Sequence, residues 1–524
     1  MAELGLAGLA TAELALKYGK ELVQLCSDFR HANEEIRERV KKVKSVWIRT
    51  ERQIDFLGRI WNSLDAELQD HQSELLDELS SKLDAAGKQI GRVFQKTDDG
   101  DGVLKVNRMK YAAIKGSIDK AIEQLREWQR DFDPGWFLTM KIAKSTIDLE
   151  LAENSEKNPK TLATIKKDVG EEDTISTARN MRRYLTGFPE EKFDVFRKSD
   201  ESAQQEPIPY SAAKWMRRTG KGGTRSYVVD TVPCMTGISV DSLTKDVREL
   251  ARKLSVADPA TFGLLQCRGV VKIYGSESRK PTAFEFIFQI PPGLHGPKSL
   301  RSILLDPDPS ASLSKRFHLA RQLAQSVSYI HTYNFVHKSI RPDTILVLQD
   351  DDTNLAASFL LGFENFRTAD GPTLRAGDSA WDKDLYRHPR RQGFNPENAY
   401  IMQHDIYSLG VCLLEVGLWQ SFMALDENKV MRPTELLHPE VVDHVTLVDV
   451  GNAVRLKDCL VQLARTKLPG RMGDTYTEVV INCLTCLDEN NEDFGNPEEF
   501  EDEDGVQIGV RYIEKVRPNF DRAH

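Results

Sequence analysis

The sequence has 524 residues, 40% hydrophobic, 29% charged and 8% aromatic; this globular composition argues against a wholly disordered, collagenous or disulfide-stapled chain, and the length suits two to four domains. Seven cysteines, an odd and sparse set, argue against a secreted disulfide framework and for a reducing, cytoplasmic compartment. The net charge of −9 is local, because Asp488 to Asp504 holds ten acidic residues and no Lys or Arg; the rest is nearly neutral and lacks the basic, aromatic-interleaved surface of a nucleic-acid binder.

The chain opens on Leu4-Gly5-Leu6-Ala7-Gly8-Leu9-Ala10. Glu3 and Glu13 bracket this run and no basic stretch precedes it, so it does not read as a secretory signal. It is also far short of the ~20 apolar residues of a spanning helix, and no other segment reaches that length. The reading is a protein soluble as made. Leu4, Leu6 and Leu9 are then candidates to lie on or enter a bilayer after a conformational change.

An opening helix is expected over residues 5–28. From Ile36 the apolar positions run Val40, Val43, Trp47, Thr50, Ile54, Leu57, Trp61 and Leu64, alternating four and three, which is the seam of one long helix. A second run holds Leu68, Leu75, Leu79, Leu83, Ala86, Ile90 and Val93, and a Gly/Asp loop at 97–102 breaks it. A third helix carries Ile114, Ile118, Ala121, Leu125 and Trp128, with Asp133-Pro134-Gly135 as its stop, and Trp136 to Leu151 reads as a shorter helix. These make an antiparallel helical bundle over 1–155.

Arg37 to Arg52 contains seven Lys/Arg against two Glu. One reading is a solvated helix face. The other is a strip including Lys41, Lys42 and Lys44 that meets anionic headgroups, each charge adding about 1 kcal/mol near the surface.

Residues 156–209 read as a charged connector with one helical piece at 174–185, and the polar, proline-bearing stretch 199–209 marks the main boundary. Beyond it, Tyr227-Val228-Val229, Gly269 to Tyr274 and Phe284 to Phe288 read as strands, and helical patterns follow. This is an α+β order, a strand-rich lobe ahead of a helical one. Cys483 and Cys486 form a lone C-x-x-C, read as helix packing rather than half a zinc site, and no metal site is expected.

A helix from Ser314 ends at His331, followed by Phe335-Val336-His337-Lys338-Ser339-Ile340-Arg341-Pro342-Asp343-Thr344. Leu361-Gly362-Phe363-Glu364, Tyr386-Arg387-His388-Pro389 and Asp405-Ile406-Tyr407-Ser408-Leu409-Gly410 follow in order. The set resembles the catalytic loop (H-R-D-L-x-x-x-N), D-F-G, activation-segment end and D-x-W-S-x-G helix of protein kinases. The resemblance covers residues 210–517 and implies a bilobal protein-kinase-like fold. The overall fold class is therefore α+β multidomain, a bundle and then this domain.

The resemblance also implies what is missing. Phosphoryl transfer needs an Asp as base, an Asn and an Asp on magnesium, and a Lys on the phosphates. Ser339 stands at the base position, Thr344 at the metal Asn and Gly362 at the metal Asp. Val232 is the best match for the Lys. Gly220-Lys221-Gly222-Gly223 is all that survives of a glycine-rich loop, making Gly220, Gly222 and Gly223 the nucleotide-binding candidates. Asp343 and Glu364 are the carboxylates that could compensate. His337 and Phe363 match the family's lobe-joining pair, Asp405 its loop anchor, and Lys338 its phosphate-gripping Arg, with Thr368 and Thr373 as phosphorylation candidates. Such a domain is a pseudokinase, with no certain cofactor and ATP as the candidate ligand.

A bundle ahead of a pseudokinase resembles the mixed-lineage-kinase-like executioners of necroptosis, which share G-F-E, and the fungal HeLo-domain proteins of prion-controlled cell death. This resemblance implies a non-catalytic signalling protein whose pseudokinase regulates a membrane-targeting, cell-death-type bundle. Its expected partners are an upstream signalling protein or its own copies and an anionic membrane, with no nucleic acid, and it would relocate to the plasma membrane. The alternatives are a divergent ATP-dependent kinase and a scaffold that oligomerises through its heptads.

Overall fold

A computed structural model of the chain describes residues 2–28, 34–95, 108–142, 144–156, 174–185, 195–198, 204–220, 223–234, 239–275, 280–306, 311–350, 356–363, 367–368, 380–393, 400–426, 430–437, 450–495, 509, 512 and 515–516. The loop at 97–102 and the acidic run at 498–504 lie outside these residues. The polypeptide divides into two compact units, Met1–Thr186 with Asp502–Val510, and Gly187–Glu501 with Arg511–His524.

The first unit is built from α1 (Ala2–Asp28), α2 (Glu34–Ile60), α3 (Ala66–Gln95), α4 (Arg108–Leu138), α5 (Ser145–Glu156) and α6 (Thr174–Leu185). Ile36, Val40, Val43, Trp47, Thr50, Ile54 and Leu57 are all buried on α2, so the seam faces the core. On α3 Leu68, Leu79, Leu83, Ala86 and Ile90 are buried as the seam requires, and Leu75 is the exception, half-buried beside a buried Leu76. The small residues of α1 have a packing reason. A Cβ at Gly8 would come within 2.2 Å of Trp61 Cζ2, and one at Gly19 within 1.9 Å of Trp47 Cη2. The rings of Trp47 on α2 and of Trp61 just past its end thus pack against two glycines of α1. Gly19→Ala is expected to lower stability by about 1–3 kcal/mol through overpacking. Gly116→Ala, where a Cβ meets nothing within 4 Å, should be neutral or gain up to about 1 kcal/mol of helix propensity; thermal melts of the two variants check this.

Asp133-Pro134-Gly135 does not stop α4, which runs on to Leu138. Proline removes one helical hydrogen bond, and tertiary contacts offset the loss. Asp133 is buried and takes Arg49 and the Gln53 amide on its two oxygens, Trp136 Nε1 donates to Gln53 O at 3.2 Å, and Gly135 lets His71 and Gln72 approach. The helix expected from Trp136 is instead a 3-10 turn at Thr139–Lys141 and then α5. Helix α6 is part of this unit: buried Arg182 forks onto both oxygens of Asp148 at 2.9 and 3.0 Å and donates to the carbonyls of Met140 and Ile142.

The second unit starts ahead of the expected boundary, because Phe196–Arg197 (β1) and Gln205–Pro207 (β2) are strands of its sheet. With β3 (Lys214–Gly220), β4 (Gly223–Pro233), β5 (Gln266–Tyr274) and β6 (Pro281–Gln289) they give the order β1-β5-β6-β4-β3-β2. Alternation sorts the two faces: Val228, Asp230 and Val232 of β4 stand opposite Phe288, Phe286 and Phe284 of β6 on the buried face. Helix α7 (Val240–Ser255) follows β4 and buries Leu243, Val247, Leu250 and Leu254. The remainder is mainly helical. Helix α8 (Leu300–Leu304) leads to α9 (Leu313–Thr332) and α10 (Met402–Leu418), the latter buried from Gln403 to Leu418, as expected of a central helix apolar on all sides. Helices 450–467 and 474–484 close this part. Cys483 and Cys486 are free and buried; burial pushes the Cys483 thiol up to about 12. The architecture is α+β multidomain, helices first and then a sheet-and-helix unit compatible with a kinase-like fold.

Candidate functional site

The loop after β7 (Phe335–Val336) is pinned from below by Asp405 of α10. Its carboxylate accepts the backbone N–H of His337 at 2.7 Å and of Lys338 at 2.9 Å, the Tyr400 hydroxyl at 2.7 Å, and lies 3.2 Å from His331 Nε2. Burial alone would raise its pKa. The His331 hydrogen bond and the charges of His331 and His337 overcome that and hold it below the usual carboxylate range. Lys338 sits at φ +66°, a left-handed conformation costing about 1 kcal/mol or more, and its bond to Asp405 holds it there. Above the loop, the Phe363 ring lies 5.0 Å from that of His337 and 6.1 Å from Phe288 of β6, linking the sheet to the loop.

Ser339 and Thr344, which the kinase resemblance singles out on this loop, make packing and hydrogen-bond contacts within it. Ser339 is buried, and its carbonyl lies 2.7 Å from Thr344 Oγ1, which also caps the Arg341 carbonyl at 2.9 Å. Gly362 has φ +81°, and a Cβ there would fall 2.3 Å from Thr344 Cγ2. Thr344 and a side chain at 362 therefore exclude each other. Asp343 accepts from Arg301 Nη2 at 3.0 Å and lies 3.7 Å from Arg341; it is an ion-pair partner rather than a poised base. Glu364, Gly222 and Thr373 lie outside the described residues, and of Thr368 only the backbone is described, in the strand Arg367–Thr368.

The structure places three of the residues singled out from the sequence away from the G-F-E turn. Gly220 and Gly223 face each other across the β3–β4 hairpin. They close a turn seven residues along β4 from Asp230, ~23 Å at the rise of a strand. Val232 is buried opposite Phe284. The β4 side chain that meets the G-F-E turn is Asp230. Its Oδ2 accepts the N–H of Gly362 at 2.9 Å and of Phe363 at 3.1 Å. Successive backbone N–H groups of this kind form an anion-binding concavity, and the protein fills it with its own carboxylate. A buried negative group thus stands at this turn. Sequence reading missed it, although the signal was there: an Asp inside the run Val228-Val229-Asp230-Thr231-Val232, where a buried charge demands a partner.

On the first unit, Lys41 and Lys42 are exposed and Lys44 half-buried. Of their neighbours, Arg39 pairs with Asp119, Arg49 with Asp133 and Arg37 with Glu34. Leu4 and Leu6 fall in the first turns of α1, and Leu9 is half-buried. Among the described residues no helix is long and apolar enough to cross a membrane, and no cluster of His, Cys, Asp and Glu is arranged to hold a metal.

No protein-family model matches the sequence. Over 168 residues the chain is 30% identical to a probable leucine-rich repeat receptor-like protein kinase of Arabidopsis thaliana, covering 30% of this chain and 14% of that protein. The match therefore spans only about a seventh of the plant protein's length.

Proposed function

We propose that this is a non-catalytic signalling protein, a pseudokinase that regulates a HeLo-type helical bundle acting at an anionic membrane in programmed cell death. It resides in the cytoplasm and moves to the plasma membrane when an upstream signalling partner or self-assembly releases the bundle. One observation supports the non-catalytic half above all: Gly362 is packed against Thr344 at φ +81°, so position 362 has neither the metal carboxylate nor room for one. Asp230 on the same turn opposes phosphate by its charge. The membrane half rests on the exposed Lys41 and Lys42.

Full-length protein with Mg·ATP and a generic peptide substrate should transfer no labelled phosphate above a protein-free blank; turnover at ordinary kinase rates, ~1 per second or faster, would refute the reading. Reversing Lys41, Lys42 and Lys44 to Glu should cut co-sedimentation with phosphatidylserine vesicles by about a hundredfold, from roughly 1 kcal/mol per charge. Equal binding by wild type and variant would favour the oligomerising scaffold.

A further inference from the structure

The face of the six-stranded sheet opposite the phenylalanines carries a concavity that the kinase-like reading does not use. It encloses about 310 Å³, at the lower end for small-molecule sites. Its floor is apolar, made by Met216, Val229, Val271 and Ile287, with the Tyr227 ring beside them. Its walls are basic. Arg197 and Lys198 at the end of β1 and Arg268 on β5 line one flank and Arg218 on β3 the other, against a single carboxylate, Glu285.

The backbone gathers these charges at some expense. The β5 register shifts between Cys267 and Gly269, and Gly269 has φ +150°. A Cβ there would come within 2.5 Å of Arg197 Cγ, so the glycine leaves room for the methylene arm of that arginine. Arg268 is oriented by donation from Nε to Gln289 Oε1 at 2.6 Å. Across the hairpin, Arg218 stands directly opposite Arg225, both exposed. Like charges so placed destabilise an antiparallel pair, and a bound anion relieves that repulsion.

We infer that this concavity binds a small phosphate-bearing ligand with an apolar or aromatic body. Arginine forks take phosphate oxygens in paired, charge-assisted hydrogen bonds, and the body lies on the Met216–Val229–Ile287 floor next to Tyr227. The same chemistry has two sources, a free phosphorylated metabolite or a phospholipid headgroup. The site is independent of the G-F-E turn, since Val229 and Asp230 project from opposite faces of β4.

The test uses the full chain, wild type beside Arg218→Gln and the double variant Arg218→Glu/Arg268→Glu, with thermal melts to establish that each is folded. Calorimetric titration with ADP in magnesium-free buffer and with inorganic phosphate probes the soluble source. Co-sedimentation with phosphatidylcholine vesicles, with and without phosphatidic acid, probes the lipid source. ADP or phosphatidic acid vesicles should bind, about tenfold more weakly with Arg218→Gln and undetectably with the double variant. ADP binding alone assigns the metabolite; binding only to phosphatidic acid vesicles assigns the lipid. Inorganic phosphate binding as tightly as ADP would overturn the role of the floor. No binding by any probe, or binding unchanged in both arginine variants, would overturn the site. Vesicle binding lost only on reversal of Lys41, Lys42 and Lys44 belongs to the bundle and counts against the lipid source. None of these outcomes bears on phosphate transfer, so the pseudokinase reading stands or falls separately.

Discussion

Arg301→Ala should lower the stability of the second unit by about 3–5 kcal/mol, the largest single effect expected in this protein. Arg301 follows Ser299, whose hydroxyl caps the start of α8, and its side chain has no exposed surface. Nη1 donates to Glu415 Oε1 at 3.0 Å and Ser421 Oγ at 2.6 Å, while Nη2 donates to Asp343 Oδ2 at 3.0 Å and the Tyr386 hydroxyl at 2.8 Å. Tyr386 in turn donates to Glu415 Oε2 at 2.8 Å. One guanidinium therefore joins α8, the end of the catalytic-type loop, the Tyr386-Arg387-His388-Pro389 segment and α10. Burial works against its charge, but Tyr386, Glu415 and Asp343 hold its pKa well above the usual value. Removing it strands Glu415, also wholly buried, without its counter-ion. Arg301→Lys should fail as well, because an ammonium lacks the fork that reaches four partners. Arg301→Met with Glu415→Gln should lose less than the sum of the two single changes. Denaturant titrations of these variants provide the measurement; a loss under about 1 kcal/mol for Arg301→Ala would mean that the network is slack.

Acid should weaken the same unit from about pH 7 downward. His388 and His404 are buried with ring centroids 5.3 Å apart, and Nδ1 of each accepts a backbone N–H, from Arg390 and Ile401. Burial, aided by Lys457 and Arg390, brings the His388 pKa down to about 3. Burial, with His388 and Arg391, holds His404 well below its ordinary value. The unfolded chain protonates both near pH ~6.5, whereas the folded chain keeps them neutral. The unfolded state thus binds more protons below that pH, and stability is lost as pH falls. Linkage gives about 2 kcal/mol for His388 alone between about pH 7 and pH 5, and His404 adds in the same direction. Asp405, with its depressed pKa, contributes the same sign only below pH ~4. His388→Asn retains an acceptor for the Arg390 N–H and should flatten the slope of stability against pH; an unchanged slope would place the acid sensitivity elsewhere.

Much of this was legible in the sequence, and the failures have physical causes. Heptad spacing located the seam of α2 because apolar burial is periodic and local. It said nothing of Pro134, whose place inside α4 depends on Asp133 meeting Arg49 and Gln53 from a helix eighty residues away. The four kinase-like segments could be read because each keeps side chains at fixed offsets along one stretch of chain. The glycines at 220–223 misled because any two-residue hairpin favours glycine. Val232 and Asp230 lie on the same face of β4, and choosing between them required knowing which one reaches Gly362. The basic concavity escaped notice entirely, since its arginines come from three strands separated by tens of residues and meet only across the sheet.

The contact between Thr344 and Gly362 couples any two substitutions that would place metal ligands at these positions. Gly362→Asp made first would collide with Thr344 and force a carboxylate into a backbone region that favours glycine. Thr344→Asn made first would remove the hydroxyl that ties the loop to Ser339 and Arg341, before any ion existed to reward it. Each opening step lowers stability without completing an ion site, so neither position can change alone without cost.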